Sequence, residues 1–378
     1  MNNKKTSNLL RLIAFFLTAV MLVCTFGFTV DGWTFTDDGQ NGITEDFPGN
    51  NPTVDNTDPD GEKDEQDKGE ETPDEPQIYI PEFTNALTGL ETTEELSLKA
   101  PLAFVIDGNT PLFGISGADI LCDIPVEEEK IRSIAFLSNT DNLWKIGSIA
   151  PCRGYIGNVI KYFGGIAVSA GNDDSLSYTS CNMAGNILDL TVNDGYYYTE
   201  QQNRFYTNKD LIYAGLANSA ISTEKIAQTV LPYSFTDFGS NNVTGDLSAK
   251  EIRITQARDN TATLTYNETS GLYSLNKNGD ALCDTLNGKQ FEFKNCFVLF
   301  ADSVTYDKAE YSQTVVDTIG SGRGYYFTEG SAIEITWTAT AAGVMTFYSL
   351  EGQKLTVNRG SSYISYLKAS KTEDLNFS

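Results

Sequence analysis

Apolar and polar positions divide the chain into three regions. Residues 12–30 form an almost uninterrupted apolar run, and residues 31–77 are dominated by acidic and turn-forming residues. From residue 78 onward, short runs rich in Ile, Val and Phe are separated by Gly, Asn and Asp. Such runs, bounded by turn residues, are typical of β-strands. The pattern therefore predicts a folded region from about residue 80 to 370, preceded by two segments of different character.

The first half of the folded region, residues 80–240, carries both strand and helix patterns. Strands are predicted at Ala103–Ile106, Asp119–Ile124, Ile131–Leu137 and Ile166–Val168. Helical spacing of apolar residues predicts a helix from Gly154 to Phe163. Further helices are predicted from Lys209 to Asn218 and after Ser222, which is well placed as an N-cap. This mixture indicates an α/β domain.

Helical patterns are absent from the second half, residues 245–370. Strands are predicted at Glu251–Ile254, Ala262–Tyr266, Gly271–Leu275, Phe297–Phe300, Gln313–Thr318, Ile333–Trp337, Met345–Ser349 and Leu355–Val357. The glycines of Gly320–Gly324 predict a tight hairpin or bulge. Many short strands indicate a β-sandwich or barrel. The predicted fold class is α+β, with a mixed α/β N-terminal domain followed by a mainly antiparallel β C-terminal domain.

The N-terminus predicts export. Lys4, Lys5 and Arg11 precede the apolar run of residues 12–30, and this polarity is that of a secretion signal or of a membrane anchor. A retained helix, a cleaved signal and lipidation at Cys24 all remain open. Residues 31–77 hold 16 acidic residues and two lysines, so we expect a disordered acidic linker. The expected location is the extracellular face of the cell membrane in a bacterial envelope.

Composition excludes several classes of function. The net charge of −25 argues against nucleic acid as a partner, because binding phosphates requires a basic surface. The chain has no histidine, which removes Ser-His-Asp and Cys-His catalysis and every His-ligated metal site. We therefore expect no cofactor and single out no catalytic or metal-ligating residue.

The cysteines do not form a complete disulfide framework. Five follow the N-terminal segment, at positions 122, 152, 181, 283 and 296, and an odd number cannot pair fully. Cys283 and Cys296 flank a predicted hairpin and are candidates for a disulfide in an oxidising compartment. Single buried thiols are the alternative.

Charged residues in the first half supply the candidate binding groups. Arg132 lies in a strand-like run, Arg153 precedes a predicted helix, and Arg204 has apolar and aromatic neighbours. If these arginines converge, their forked donors and the helix N-terminus form an anion site. Asp107 and Glu127 are candidate carboxylates of the same site. In the alternative interpretation, each arginine pairs with a nearby acid and fixes a loop.

Several segments together resemble a known family. They include Asn85–Leu90, Pro101–Asp107, Gly117–Glu127 with Arg132, Ile146–Ser148 leading to Arg153, Thr265–Asn267, Gly271–Tyr273, Gly320–Gly324, Ile335–Trp337 and Glu351–Gln353. In order and spacing these segments resemble the YerB-like family of bacterial lipoproteins, over residues 85–367. The resemblance implies two domains of unknown function and implies no established activity.

Three positions depart from the family pattern. The family pattern has arginine where this chain has Ala150, histidine where it has Ser169, and a His-Asn pair where it has Asn203-Arg204. The resemblance thus implies that a family site at these positions is altered here, while Asp107, Glu127, Arg132 and Arg153 remain.

The sequence therefore predicts an exported, membrane-tethered envelope protein with a non-catalytic binding or structural role. Its expected ligand is an envelope polymer or a small anionic molecule bearing carboxylate or phosphate. One alternative is a hydrolase that cleaves cell-wall glycan or peptide through Asp107 and Glu127, since two carboxylates suffice for glycoside hydrolysis. Another is a scaffold for membrane proteins, for which no pocket is expected.

Overall fold

The structure, a computed structural model, describes residues 78–171, 185–192, 195–225, 229–307 and 312–378. These residues belong to one compact unit. None of the helices within these ranges is both long and apolar enough to cross a membrane. The predicted N-terminal signal or anchor, the acidic linker, Cys24 and Cys181 lie outside the described residues.

The described residues are mostly β-structure, with three α-helices. The helices are α1 (Glu94–Ser97), α2 (Gly154–Tyr162) and α3 (Lys209–Ala217), and short 3₁₀ turns occur at Gln201–Asn203 and Thr372–Asp374. The strands are β1 (Leu102–Asp107), β2 (Ile120–Pro125), β3 (Ile131–Leu137), β4 (Ile146–Ile149), β5 (Ile166–Ser169), β6 (Ile187–Asp189), β7 (Tyr198–Glu200), β8 (Arg204–Thr207), β9 (Ser234–Phe235), β10 (Leu247–Ser248), β11 (Glu251–Ala257), β12 (Asn260–Asn267), β13 (Leu272–Lys277), β14 (Asp280–Ala281), β15 (Glu292–Phe293), β16 (Asn295–Ala301), β17 (Ser303–Asp307), β18 (Ser312–Val316), β19 (Gly320–Thr328), β20 (Ser331–Ala339), β21 (Met345–Ser349), β22 (Thr356–Val357), β23 (Ser362–Lys368) and β24 (Leu375–Phe377).

One large sheet contains strands from both halves of the chain. Its main path runs β10-β20-β19-β16-β23-β2-β3-β1-β4-β8-β7. The late strand β23 lies parallel to both β16 and β2 and joins them. β5 also pairs in parallel with β1, and β6 with β5. A second sheet, with the order β14-β13-β12-β11-β24, comes from the second half.

The large sheet has a hydrophobic core on each face. Phe104 and Ile106 of β1 belong to a core that includes Ile254 and Leu264 of the second sheet. Val105, between them in sequence, belongs to a second core that includes residues of helix α2. This alternation follows from strand geometry, because successive side chains point to opposite faces. Almost all side chains of β1, β2 and β3 are buried, because a hydrophobic core covers each face of the sheet.

Most sequence predictions of individual elements are confirmed. Every predicted strand overlaps an observed one, and the predicted helices at 154–163 and 209–218 are α2 and α3. The helix predicted after Ser222 is wrong, because Glu224 instead pairs with Lys99 in an isolated β-bridge. The hairpin predicted at Gly320–Gly324 is also wrong, because these residues begin the long strand β19.

Cys283 and Cys296 do not form the disulfide considered from the sequence. Both are free thiols, as is Cys122, so the candidate pairing is wrong. Cys296 lies fully buried in β16, where burial raises the pKa of its thiol well above the ordinary value. It therefore behaves as a small apolar core residue.

Candidate functional site

Arg132 and Asp107 meet across two neighbouring strands. The antiparallel register of β1 and β3 places Asp107 opposite Arg132, and Arg132 Nη1 lies 3.6 Å from Asp107 Oδ1. The same carboxylate accepts a hydrogen bond from the backbone N–H of Asn109 at 3.2 Å, as expected where an Asp begins a turn. The end of β1 therefore holds the carboxylate in place beside Arg132.

Arg153 and Glu127 form a second ion pair, which interacts with Arg132. We call the four residues Asp107, Glu127, Arg132 and Arg153 the Arg132 cluster. Arg153 precedes helix α2 and is only 5% exposed. Its Nη2 lies 3.9 Å from Glu127 Oε1. Its Nη1 donates to the backbone oxygen of Val126 and, at 3.4 Å, to that of Thr314. Arg153 therefore joins the helix start to the end of β2 and to strand β18.

Arg132 has donors that the fold does not satisfy. Its side chain is 14% exposed, and its Nε and Nη1 are buried with no hydrogen-bond acceptor among the described residues. Burial lowers the pKa of Arg132, Asp107 opposes this effect, and the nearby positive charge of Arg153 lowers the pKa further. An unsatisfied buried donor costs about 1–3 kcal/mol, so Arg132 has unused capacity to bind an acceptor.

Helix α2 adds a weaker electropositive feature to this cluster. The helix has nine residues, and no side chain caps its N-terminus. The dipoles of helical peptide groups favour negative charge at this end. Tyr155, in the first turn, and Arg153 both interact with the charge of Arg132, so the helix start lies close to the unsatisfied guanidinium.

The two carboxylates are each paired with a cation. Asp107 is paired with Arg132, and Glu127 with Arg153 and, at 2.9 Å, with Lys130. Both carboxylates are therefore already engaged in ion pairs with side chains of the protein, and this geometry fits binding better than acid catalysis.

The prediction that Arg204 joins the other arginines is wrong. Its Nη2 donates to Gln202 Oε1 at 3.0 Å at the surface, and no ion pair or hydrogen bond within the described ranges connects it to the cluster. The turn before β8 explains this position. Gln202 and Asn203 both have positive φ, 62° and 58°, which folds the turn back and brings Gln202 beside Arg204.

Two of the positions that depart from the family pattern border the cluster. Ser169 ends β5, and its hydroxyl accepts a hydrogen bond from the backbone N–H of Cys152 at 2.9 Å. The same hydroxyl lies 3.4 Å from the backbone oxygen of Ala150. Ala150 and Ser169 therefore hold the segment that leads into Arg153. The third position, Asn203, lies in the turn beside Arg204.

A cavity opens next to the cluster. It has a volume of about 590 Å³, and Glu127 and Thr314 are among its lining residues. Gln256 of β11 and Arg258, which follows β11, also line it. Asp107, Arg132 and Arg153 do not line this cavity. Four of the five predicted site residues thus form two neighbouring ion pairs. Of these four, only Glu127 lines this cavity.

Sequence reasoning missed a second polar cluster, which lies between the two sheets. Asp123 is fully buried in β2. Its Oδ2 accepts from Lys277 Nζ at 2.6 Å and from the Tyr363 hydroxyl at 2.7 Å, and its Oδ1 accepts from the Ser133 hydroxyl at 2.5 Å. Gln256 Nε2 donates to Tyr363 and lies 3.3 Å from Asp123. The only sequence signal was a charged residue inside the apolar run 120–124.

The described residues contain no group of three or more Cys, Asp or Glu side chains placed to hold a metal ion.

Comparison with known families gives two matches along the chain. Residues 87–223 match the N-terminal domain, and residues 252–364 the C-terminal domain, of the protein of unknown function DUF3048. The chain belongs to this YerB-like two-domain family.

A solved structure shows the same fold. The crystal structure of YerB protein from Bacillus subtilis superimposes with a TM-score of 0.66 at 19% sequence identity. The match covers 78% of this chain and 99% of that one. No functionally curated protein matches the chain.

Proposed function

We propose that this protein is exported and tethered to the extracellular face of a bacterial membrane, where it binds an anionic envelope ligand without catalysis. The basic and then apolar N-terminus and the acidic residues 31–77 support export and tethering. The ligand class is a carboxylate- or phosphate-bearing envelope component. In the same proposal the fold is α+β, because all three described helices and the parallel pairs β1–β5 and β5–β6 precede residue 220.

One observation supports the ligand class: two buried nitrogens of Arg132, close to a second arginine, have no hydrogen-bond acceptor among the described residues. Carboxylate and phosphate oxygens match the fork of an arginine. An anion at this position would accept a hydrogen bond from one of these nitrogens and reduce the repulsion between Arg132 and Arg153. Because the long-range field of the chain is strongly negative, recognition depends on these local contacts.

The test is binding of the full-length chain, in a non-glycosidic detergent, to two probes: a phosphate-bearing wall polymer and a carboxylate-bearing peptidoglycan fragment. Arg132→Gln should weaken binding of one probe by about tenfold or more, the loss typical of a charged hydrogen bond. Arg132→Lys should recover little of this loss, since lysine lacks the fork. Thermal melting checks that each variant folds.

Two matched controls separate a site from general charge. Arg204→Gln changes an arginine outside the cluster, and Arg253→Gln changes an exposed arginine on β11. Both should bind as the parent chain does. Unchanged binding by Arg132→Gln, or equal losses in all three variants, would reject the proposal. Cleavage of a fragment that Asp107→Asn or Glu127→Gln abolishes would favour the hydrolase instead.

A further inference from the structure

A separate groove lies where the second sheet diverges from the large sheet. It has a volume of about 540 Å³, and β16, β19 and the edge strand β24 contribute its lining. Phe300 of β16 and Leu375 of β24 are among the apolar residues that face it. Phe300 belongs to the core on the face opposite to helix α2, so the groove is distinct from the Arg132 cluster. Its volume is in the range of small-molecule sites.

Aromatic rings form one wall of the groove. Tyr325 and Phe377 both line it and are partly exposed. Their ring centroids lie 5.2 Å apart at an interplanar angle of 60°, and Phe377 makes a similar contact with Phe327. These edge contacts fix the rings. Tyr325 therefore offers a rigid, partly solvent-facing aromatic surface.

Three polar side chains also line the groove. Among the described residues, the Asp302 carboxylate, the Ser321 hydroxyl and the Tyr325 hydroxyl all line the groove without a side-chain hydrogen bond or ion pair. At the rim, Arg323 is instead ion-paired with Glu334. The groove thus combines an apolar wall with one free negative charge and two free hydroxyls.

This combination defines the chemistry of a ligand. A flat apolar surface favours a ligand with a C–H face, and a carboxylate with neighbouring hydroxyls favours one that donates several O–H groups. Sugar rings have both properties. The free Asp302 and the net charge of −25 disfavour an anionic ligand. We infer that this groove binds a neutral sugar unit of a glycan, with its C–H face against Tyr325 and a hydroxyl donating to Asp302.

The test uses isothermal titration of the full-length chain, in a non-glycosidic detergent, with two neutral probes: the β-1,4-linked tetramer of N-acetylglucosamine, and maltotetraose. At least one probe should bind. Tyr325→Ala should weaken its binding by about tenfold or more, through loss of the aromatic surface. Asp302→Asn should also weaken binding several-fold, because a neutral acceptor forms weaker hydrogen bonds than a carboxylate.

The controls distinguish loss of contact from loss of fold. Asp302 is exposed, so Asp302→Asn should leave thermal melting unchanged even if Tyr325→Ala does not. Tyr306, on β17, is 54% exposed and is not among the residues that line the groove. Tyr306→Ala should therefore bind the sugars normally. Arg132→Gln should also bind these sugars normally, which separates this inference from the anion site. Absence of binding by both probes, or binding that neither Tyr325→Ala nor Asp302→Asn weakens, would overturn it.

Discussion

At the scale of single residues, two arginine environments show how differently the fold uses one side chain. Arg153 donates to the backbone oxygens of Val126, just after β2, and of Thr314 in β18, and its role is to fix the start of helix α2. Arg132, on β3, has two buried nitrogens without hydrogen-bond acceptors among the described residues. Because burying an unsatisfied donor destabilises a fold, the unused capacity of Arg132 is the feature that suggests a ligand.

The buried pair of Asp123 and Lys277 predicts a large loss of stability on substitution. Lys277→Met should lower the free energy of unfolding by about 3–5 kcal/mol, because it leaves a buried carboxylate without its cation. In the double variant with Asp123→Asn, the loss should be smaller than the sum of the single losses, since the two groups are directly coupled. Urea unfolding measures both.

A surface ion pair provides the control for this prediction. Lys250 Nζ lies 2.5 Å from Glu268 Oε1, with both side chains more than half exposed. Lys250→Met should cost less than about 1 kcal/mol. Equal effects of Lys277→Met and Lys250→Met would contradict the claim that the buried pair links the two sheets.

The sequence indicated part of this residue-scale picture. Asp107, Glu127, Arg132 and Arg153 were identified as candidates and do cluster, because two strand ends and a helix start converge there. The partners of Asp123 could not be predicted, since Lys277 is 154 residues away along the chain and their contact depends on how two sheets stack. The prediction for Arg204 was wrong because the local turn at Gln202 determines the direction of its side chain.

At the scale of elements, strand β19 shows how glycine serves close packing. Gly322 lies opposite Trp337 of β20 in register. The Trp337 indole N–H donates to the backbone oxygen of Phe300 on β16 at 3.2 Å, so the ring crosses β19 at Gly322. The glycine-rich sequence was expected to form a hairpin or bulge. Glycine in a strand can equally mark the close approach of another group, and here that group is an indole ring.

Adding one methyl group at this position should therefore destabilise the fold. In Gly322→Ala the new Cβ would lie 2.7 Å from the Trp337 ring and would also collide with the Phe300 backbone oxygen. We expect the free energy of unfolding to fall by about 1–3 kcal/mol. A Cβ at Gly117 would meet no heavy atom within 4 Å, so Gly117→Ala should change stability by less than about 0.5 kcal/mol. Thermal melting compares the two, and a neutral Gly322→Ala would contradict this account.

At the scale of the whole molecule, the large sheet unites two halves that the family description separates. Individual strands were predictable from local apolar runs, but their order was not. The parallel pairing of β23 with β2 joins residues more than 200 positions apart in sequence. Local patterns do not specify such a partner, because any buried strand of similar composition satisfies the same hydrophobic requirement.

This shared sheet predicts that the two halves unfold together. Full-length chain in urea should show coincident transitions by far-ultraviolet circular dichroism and by tryptophan fluorescence, as expected of one cooperative unit. A fragment of residues 78–244 should lack a cooperative transition, because it loses the β23 partner of β2 and the sheet that covers one core. A fragment that melts cooperatively with its full strand content would contradict this prediction.

The position of β23 also constrains how the protein is made. During synthesis β2 is made long before residues 362–368, so the edge of β2 that pairs with β23 stays unpaired in the nascent chain. Exposed strand edges of this kind invite pairing with other chains. A chain truncated shortly before β23 should therefore leave this edge of β2 exposed, and we expect it to aggregate rather than to fold in part.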